Sequence, residues 1–538
     1  MPFFDAFLPG FRWRALAVLG LGLAAGGCVR RNYFQPDARV GPGSSAALPA
    51  PADSVLVTAG RQYNRHSRVY HWFLGEHYRR VWAAPVRVPV LHLATAAPGG
   101  LRAGKAGGGY QSISMTLEGR QDREYALRAL DKEPYKTLPL LLRHTFVLNV
   151  VRDATSAALP YGALTVPPLA AAAGVPHTRP RLVYVRPDET GLGSSSERFR
   201  GKVALLEEKF EALASATPDL AGVSKFVGGE NMLRNVYLHP SYSIDQPAFL
   251  RARLLDVWLG DWDRHEGQWE WAAFREPGGR VRYRGIPKDR DQVYFRFDDG
   301  LIPWLAARPF LVPRFQTFRP RYGNVAGLVV QAHFIDERGL SGMTRADFQR
   351  TARDLQRRLP DSLIARALHR LPPAVYALEG AYLTTALQAR RAALPAAADA
   401  LYLALARQPN LGGTAEPERF VVRRYPDSTT VRVYAPALAQ PAGRDSLRFQ
   451  RTYFRRETQT LRLDGLGGDD VFEVSTSATG RPMPLHLYGG AGHDALRVEG
   501  PTRRLRAYDE ASDLTAAGSQ RPSLPRKKHR AFDRLNDD

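Results

Sequence analysis

Between residues 256 and 300 the chain sets Asp261, Asp263 and His265 just ahead of Gln268, and returns to acids at Asp289 and Asp291. Carboxylates at this density repel one another and are costly to desolvate. They gather either to hold a divalent cation or to shift a pKa for acid/base work. Magnesium suits the set, because it takes oxygen ligands, needs only one or two carboxylates, and leaves its other positions to water and phosphate. Arg264, Lys288 and Arg290 are interleaved with the acids, so a polar, Arg-paired loop at a sheet edge is the second reading of the same residues. No second histidine stands at zinc spacing from His265, which is expected to be structural.

The elements that must position these groups are legible. From Gln268 the alternation Trp269, Trp271, Ala273 predicts a strand, Pro277-Gly278-Gly279 a turn, and Val281, Tyr283, Gly285 the return strand. Folding about Gly278 and Gly279 sets Gln268 roughly opposite Asp289 and brings the two acidic loops together. Residues 246–260, with Phe249, Leu250, Leu254, Val257 and Trp258 at helical spacing, form the helix that delivers the chain to Asp261.

Asp263, an amide five residues on at Gln268, a strand–turn–strand and then Pro287-x-Asp289-x-Asp291 resemble the catalytic and metal-binding loops of the kinase-like fold. The resemblance is to the atypical CotH-type spore-coat kinases and, more distantly, to HipA-like and secretory-pathway kinases. It implies an α+β, two-lobed domain over residues 55–405, with a first lobe at about 87–210 and a second at 211–405. It further implies Asp263 as base, Asp289 as chief magnesium ligand with Asp291 in support, Gln268 at the second metal position, and ATP or another nucleotide as donor. Gln268 departs from the usual Asn by one methylene.

Upstream, VPVLHLA, the glycine-rich PGGLRAGKAGGGYQS and the two following strands stand in the order expected of such a first lobe. Gly107, Gly108 and Gly109 would cradle phosphate with Lys105 as counter-charge. Arg128, in Tyr-Ala-Leu-Arg, takes the place of the phosphate-contacting lysine, with Lys132 in reserve and Asp153 as its partner. Residues 137–157 are expected to be one helix, and Glu207, at the end of VALLEE, to serve the nucleotide-gripping hinge. Residues 59–86, with Tyr63, Tyr70, Phe73, Tyr78 and Trp82, are expected to form an amphipathic helix on the domain edge.

Residues 1–28 carry a short basic start, an apolar run over 15–25 and small residues before Cys28, the only cysteine. The stretch is too short to span and resembles a bacterial lipoprotein signal, which implies a lipid on Cys28 and a place in the cell envelope. Val29 beyond it favours the outer membrane, on its periplasmic or surface face. Residues 29–54 read as a flexible tether. The net charge of +22 comes largely from arginines scattered along the chain without a nucleic-acid-binding motif, so no nucleic-acid partner is expected. The partners expected are a membrane, a protein or other hydroxyl acceptor, and an outer-membrane protein.

A break at 409–413 precedes a small all-β region over 415–512, sandwich or solenoid-like, and 513–538 is a basic tail. Two turns there, DGLGGDDVF and GGAGHDALR, resemble RTX repeats, which makes Asp469 and Asp494 the candidate calcium ligands. A non-catalytic binding module and a calcium-stabilised adhesive protein are the competing functions.

Overall fold

The computed structural model describes residues 32–40, 53–107, 112–308, 311–436, 445–477, 479–508 and 515–517. Cys28 with the leader before it, Gly108, Gly109 and most of the basic tail lie outside the described residues.

Where it is described, the expected tether is packed. Tyr33, Ala38 and Arg39 are buried, the Ala38 N–H donates to the Gly201 carbonyl at 2.8 Å, and that of Val40 to Leu56 at 3.0 Å. Its Pro and Gly content obscured the aromatic pair Tyr33 and Phe34, which the Arg152 guanidinium covers. Strand β1 (Ser54–Val57) then pairs with β2 (Val86–Pro89). Between them the expected single helix is broken into α1 (Arg68–Leu74) and α2 (Arg79–Ala83). The break falls at Gly75, whose φ of +90° is open only to glycine in practice. Tyr63, Tyr78 and Trp82 are buried as an amphipathic stripe requires, whereas Trp72 and Phe73 are exposed.

A five-stranded antiparallel sheet follows, built from β3 (Arg102–Gly107), β4 (Ser112–Glu118), β5 (Glu124–Lys132), β6 (Arg181–Tyr184) and β7 (Val203–Glu208) in the order β3-β4-β5-β7-β6. Its apolar face, including Leu117, Leu127, Val183 and Leu206, closes a core of its own. Between β5 and β6 the helix expected over 137–157 is only α3 (Phe146–Asp153), capped by the Thr145 side chain. Leu140 and Leu141, which fall at helical spacing within that span, are exposed. Helix α4 (Val166–Ala173) ends as expected at Gly174 in the left-handed conformation.

The next sheet contains the predicted hairpin. Its order is β8 (Lys225–Gly228), β10 (Trp269–Glu276), β11 (Arg280–Pro287), β9 (Tyr242–Ile244). Trp269 faces Pro287 and Glu276 faces Arg280 across the turn at Pro277–Gly279. Helix α5 (Gly229–Leu238) follows β8, and α6 (Gln246–Leu259), capped by Asp245, runs buried beneath the hairpin. Beyond the hairpin come α7 (Leu301–Ala306), α8 (His333–Gly339), α9 (Arg345–Arg358), α10 (Asp361–Leu368), α11 (Pro373–Ala392) and α12 (Leu394–Ala406), and the helices after Thr344 carry their apolar residues at helical spacing.

After Ala406 the described residues form strands only. The expected break at 409–413 is itself a strand, β12 (Asn410–Thr414), paired in parallel with β16 (Leu461–Leu466). Between them run β13 (Arg419–Arg424), β14 (Ser428–Pro436) and β15 (Asp445–Phe454). Beyond β16 lie β17 (Val471–Thr476), β18 (Leu485–Tyr488), β19 (Ala495–Glu499), β20 (Leu505–Tyr508) and β21 (Thr515–Ala517). Sheet order β12-β16-β18-β20 faces β15-β14-β13-β17-β19-β21. Parallel pairing of β16 with β18 and β20, and of β17 with β19 and β21, gives solenoid-like rungs rather than a sandwich. Phe420, Leu463, Phe472, Leu487 and Leu496 fill the space between.

Gly260 closes α6 at φ +70°, and a methyl group there would lie 2.9 Å from the Phe318 ring. We expect Gly260→Ala to destabilise the fold by about 1–3 kcal/mol in urea unfolding, combining left-handed strain with overpacking.

Candidate functional site

The hairpin brings the two acidic loops together one residue out of the expected register. Gln268 faces Lys288 rather than Asp289, and the Lys288 N–H donates to the Gln268 carbonyl at 3.1 Å. Arg264 holds this junction. Fully buried, it donates to the Lys288 carbonyl at 2.7 Å and to the Gln268 carbonyl at 2.9 Å, while its guanidinium lies 4.9 Å from the Trp269 ring centre.

The acids divide into two groups. Asp256 and Asp261 point inward: Arg290 pairs with both, and Arg253 bridges Asp256 to Asp336 at 2.6 Å each. Burial opposes charge on Asp256, and Arg290, Arg264 and Arg253 outweigh it, so its carboxyl is held low. Asp261 and its basic partners thus match the Arg-paired reading. Asp256 was not singled out in the sequence, where it reads as one polar position on an apolar helix.

Asp263, Asp289 and Asp291 form the second group and share one electrostatic environment. Burial first, then repulsion from Asp291 and Asp289, push Asp263 up to about 6, with Lys132 opposing. Burial acts in the same direction on Asp289, but Arg128 and Lys132 outweigh it and hold Asp289 below the usual range; the Gln268 side chain also bonds to it. Asp291 is raised, chiefly by burial, and pairs with Lys132, while the Gln292 amide donates to it at 3.0 Å. Arg128, on the middle strand of its sheet, reaches Asp289 at 3.8 Å and Glu207 at 3.2 Å.

Several expected roles change. Asp153 does not partner Arg128; it is bound by Arg79 at 2.5 and 2.6 Å, and Glu207 takes its place. Glu207 is therefore a buried acid facing Arg128. Lys132, held in reserve by the sequence reading, directly contacts an acid of the cleft. Lys105 and Gly107 are exposed on the edge strand β3. His265 is structural, accepting from the Gly267 N–H at 3.1 Å. Arg314, 51 residues beyond Asp263 and in no recognisable motif, acts electrostatically on Asp263 and lies over Trp262 and Phe315.

The side chains suit a magnesium ion shared with phosphate in kind: three carboxylates and the Gln268 amide offer oxygen donors, and Arg128 and Lys132 pair with Asp289 and Asp291. Among the described residues no three His, Cys, Asp or Glu side chains converge to hold a metal by themselves.

The Gly-Asp turns are arranged differently from the expectation. Asp494 is matched in the next rung by Asp470, not by Asp469. The Asp470 N–H donates to Asp494 at 3.0 Å, and the Glu418 N–H to Asp470 at 2.8 Å. Asp469 instead stands at the surface and accepts from the His493 N–H at 2.9 Å. Asp469 and Asp494 therefore do not form a common ligand pair. Asp470 is fully buried, its Oδ2 has no hydrogen-bond partner among the described residues, and burial pushes its carboxyl up to about 9. No family model, curated protein or solved structure matches this chain.

Asp263 and Asp470, two of the raised carboxyls, give signed predictions. A folded pKa above the unfolded value near 3.8 favours folding at low pH, and this contribution is lost as pH rises through the folded value. Asp263→Asn should match the wild type in urea at pH 4 and exceed it by about 1–3 kcal/mol above pH 6. Asp470→Asn should likewise be indistinguishable at pH 4, with its advantage growing to at least about 1 kcal/mol and levelling off near pH 9.

Proposed function

We propose that this chain is an atypical kinase-like phosphotransferase of the bacterial cell envelope, lipid-anchored through Cys28 and directed at a protein or other hydroxyl acceptor. The observation that carries the reading is the meeting of Asp263, Asp289 and Asp291 with Arg128 and Lys132 in one electrostatic unit. The glycine-rich hairpin, the strand bearing Arg128, the helix after it and the paired strands that follow support it by their order.

Asp263 would accept the hydroxyl proton. A carboxyl pushed up to about 6 is a stronger base than an ordinary one, yet is still largely ionised at neutral pH. Asp289, supported by Asp291 and Gln268, would hold magnesium, which would supply positive charge to offset the negative charge developing on the transferred phosphoryl group. Arg128 and Lys132 would turn from the acids toward the phosphates. Arg128 can grip two oxygens through its planar fork, whereas Lys132 offers a point charge. Transfer then rests on alignment and charge compensation rather than covalent chemistry.

The same contacts favour a second reading. Arg128 and Lys132 already neutralise Asp289 and Asp291 by direct pairing, an arrangement a non-catalytic binding module could keep permanently, with an outer-membrane protein as partner.

Titration with Mg-ATP, followed by an assay of phosphoryl transfer to the protein itself and to added hydroxyl substrates, separates them. We expect micromolar to millimolar nucleotide binding that Asp289→Ala weakens at least about tenfold, and transfer that Asp263→Asn lowers about 10²–10⁴-fold without a matching loss of binding. Binding indifferent to Asp289→Ala would remove the enzyme reading.

A further inference from the structure

Helices α1 and α7 pack side by side although they are more than two hundred residues apart in the chain. Their junction is tight. Gly300 lies so close to Gly75 that a methyl group on it would come within 2.2 Å of the Gly75 nitrogen. Beside this contact His77 donates its backbone N–H to Asp299 at 2.7 Å, and its ring contacts the same carboxylate at 2.5 Å. Two short helices are thus locked into one composite face.

That face is apolar and uncovered. Val69, Trp72 and Phe73 from α1 and Leu301, Ile302, Trp304 and Leu305 from α7 are all exposed, Val69 at 66%, Trp72 at 62% and Ile302 at 49%. Neither helix contains an acid. Arg65, Arg68 and Arg80 are exposed around α1, and the Arg308 guanidinium stacks 4.0 Å from the Trp304 ring centre. Large apolar side chains with tryptophans, ringed by arginines, combine the two attractions that hold a protein on an anionic bilayer. Tryptophan and arginine both suit the headgroup layer, their apolar bodies inward and polar atoms toward water.

The path of the chain gives the direction of approach. Tyr33 packs edge-on against Tyr63 at 6.3 Å, in the turn just before α1, and Arg79 joins the Tyr63 carbonyl to the Tyr70 ring. The described chain therefore begins beside α1. Cys28 is four residues before Asn32, a reach of no more than roughly 14 Å. A lipid at Cys28 would keep this side of the protein against the membrane.

We propose that the α1/α7 face is a docking surface for an anionic lipid bilayer. Trp72, Phe73, Ile302 and Trp304 enter the interface, and Arg65, Arg68 and Arg308 meet the headgroups. The lipid-anchor reading supplies the orientation, but the surface is tested without it. In full-length Cys28→Ala protein, which has no other cysteine, a reporter cysteine is introduced by Val69→Cys, Ile302→Cys or, as a control on an exposed turn, His493→Cys. Each carries a polarity-sensitive fluorophore. With phosphatidylglycerol/phosphatidylethanolamine vesicles containing brominated acyl chains, the labels at 69 and 302 should shift to the blue and be quenched at least twofold, and the label at 493 should not.

Adding Trp72→Glu and Trp304→Glu together should abolish quenching at 302 while leaving the circular dichroism spectrum unchanged. Labels at 69 and 302 that stay water-exposed while the apolar leader carries the protein onto vesicles would overturn the proposal. So would burial of those labels with rising protein concentration in the absence of lipid, which would assign the face to a second copy of the chain. Mass analysis of the Cys28 peptide from wild-type membranes tests the lipid separately, so the two readings can fail independently.

Discussion

Everything in the cleft depends on a buried lattice of three arginines and three aspartates. Arg253, Arg264 and Arg290 face Asp256, Asp261 and Asp336 with almost no solvent access. An isolated ion at such depth would cost several kcal/mol, and removing one partner of such a pair is more damaging than never having built it. Balanced charge is what makes the lattice tolerable. Its members come from α6, from both ends of the hairpin and from α8, so satisfying it fixes all four relative to one another. Arg264 adds the carbonyls of Gln268 and Lys288 to the same constraint. The loops bearing Asp263 and Asp289 therefore cannot separate without exposing charges that have no other partner.

This explains why neighbouring acids differ so much in behaviour. Asp261 and Asp263 are two residues apart, yet one faces the lattice and the other faces Lys132 and Asp291. The chain spends its internal arginines on the structural acids and leaves the cleft acids to bases from a different sheet. Arg128 and Lys132 stand on β5, outside the lattice, so their pairing with Asp289 and Asp291 spans two separately built units.

The sequence revealed those features that local pattern determines. Alternation from Trp269 and the Pro277-Gly278-Gly279 turn predict β10 and β11 with the correct turn, because pleat and turn chemistry are short-range properties. The same holds for α6, ended by Gly260, and for the helices after Thr344. What escaped was set by long-range contacts. The kinase-like resemblance makes Asp153, at the end of the helix after Arg128, its partner, but Arg79, from the segment expected to be an edge helix, binds it instead. Leu140 and Leu141 carried helical spacing that no packing surface rewards, and a periodic pattern without a partner does not form a helix by itself. The pairing of Asp494 with Asp470 rather than Asp469 shows the limit of motif matching, since two Gly-Asp turns align by rung and not by resemblance.

The turns at the far end of the chain and the cleft pose the same electrostatic problem and answer it in opposite ways. In the rungs, Glu418 and Asp470 have, among the described residues, no arginine ion pair of the kind that covers Asp256; the Glu418 and Asp470 backbone N–H groups serve the next carboxylate along, and burial drives Asp470 toward its neutral form. A neutral acid is compatible with close stacking of parallel strands because it imposes no charge on the neighbouring rung. In the cleft, Asp289 is kept ionised by Arg128 and Lys132. Burial alone therefore does not mark an acid as functional. What separates the two is whether the surrounding groups keep the acid charged: Arg128 and Lys132 do so for Asp289, and among the described residues nothing comparable does so for Asp470.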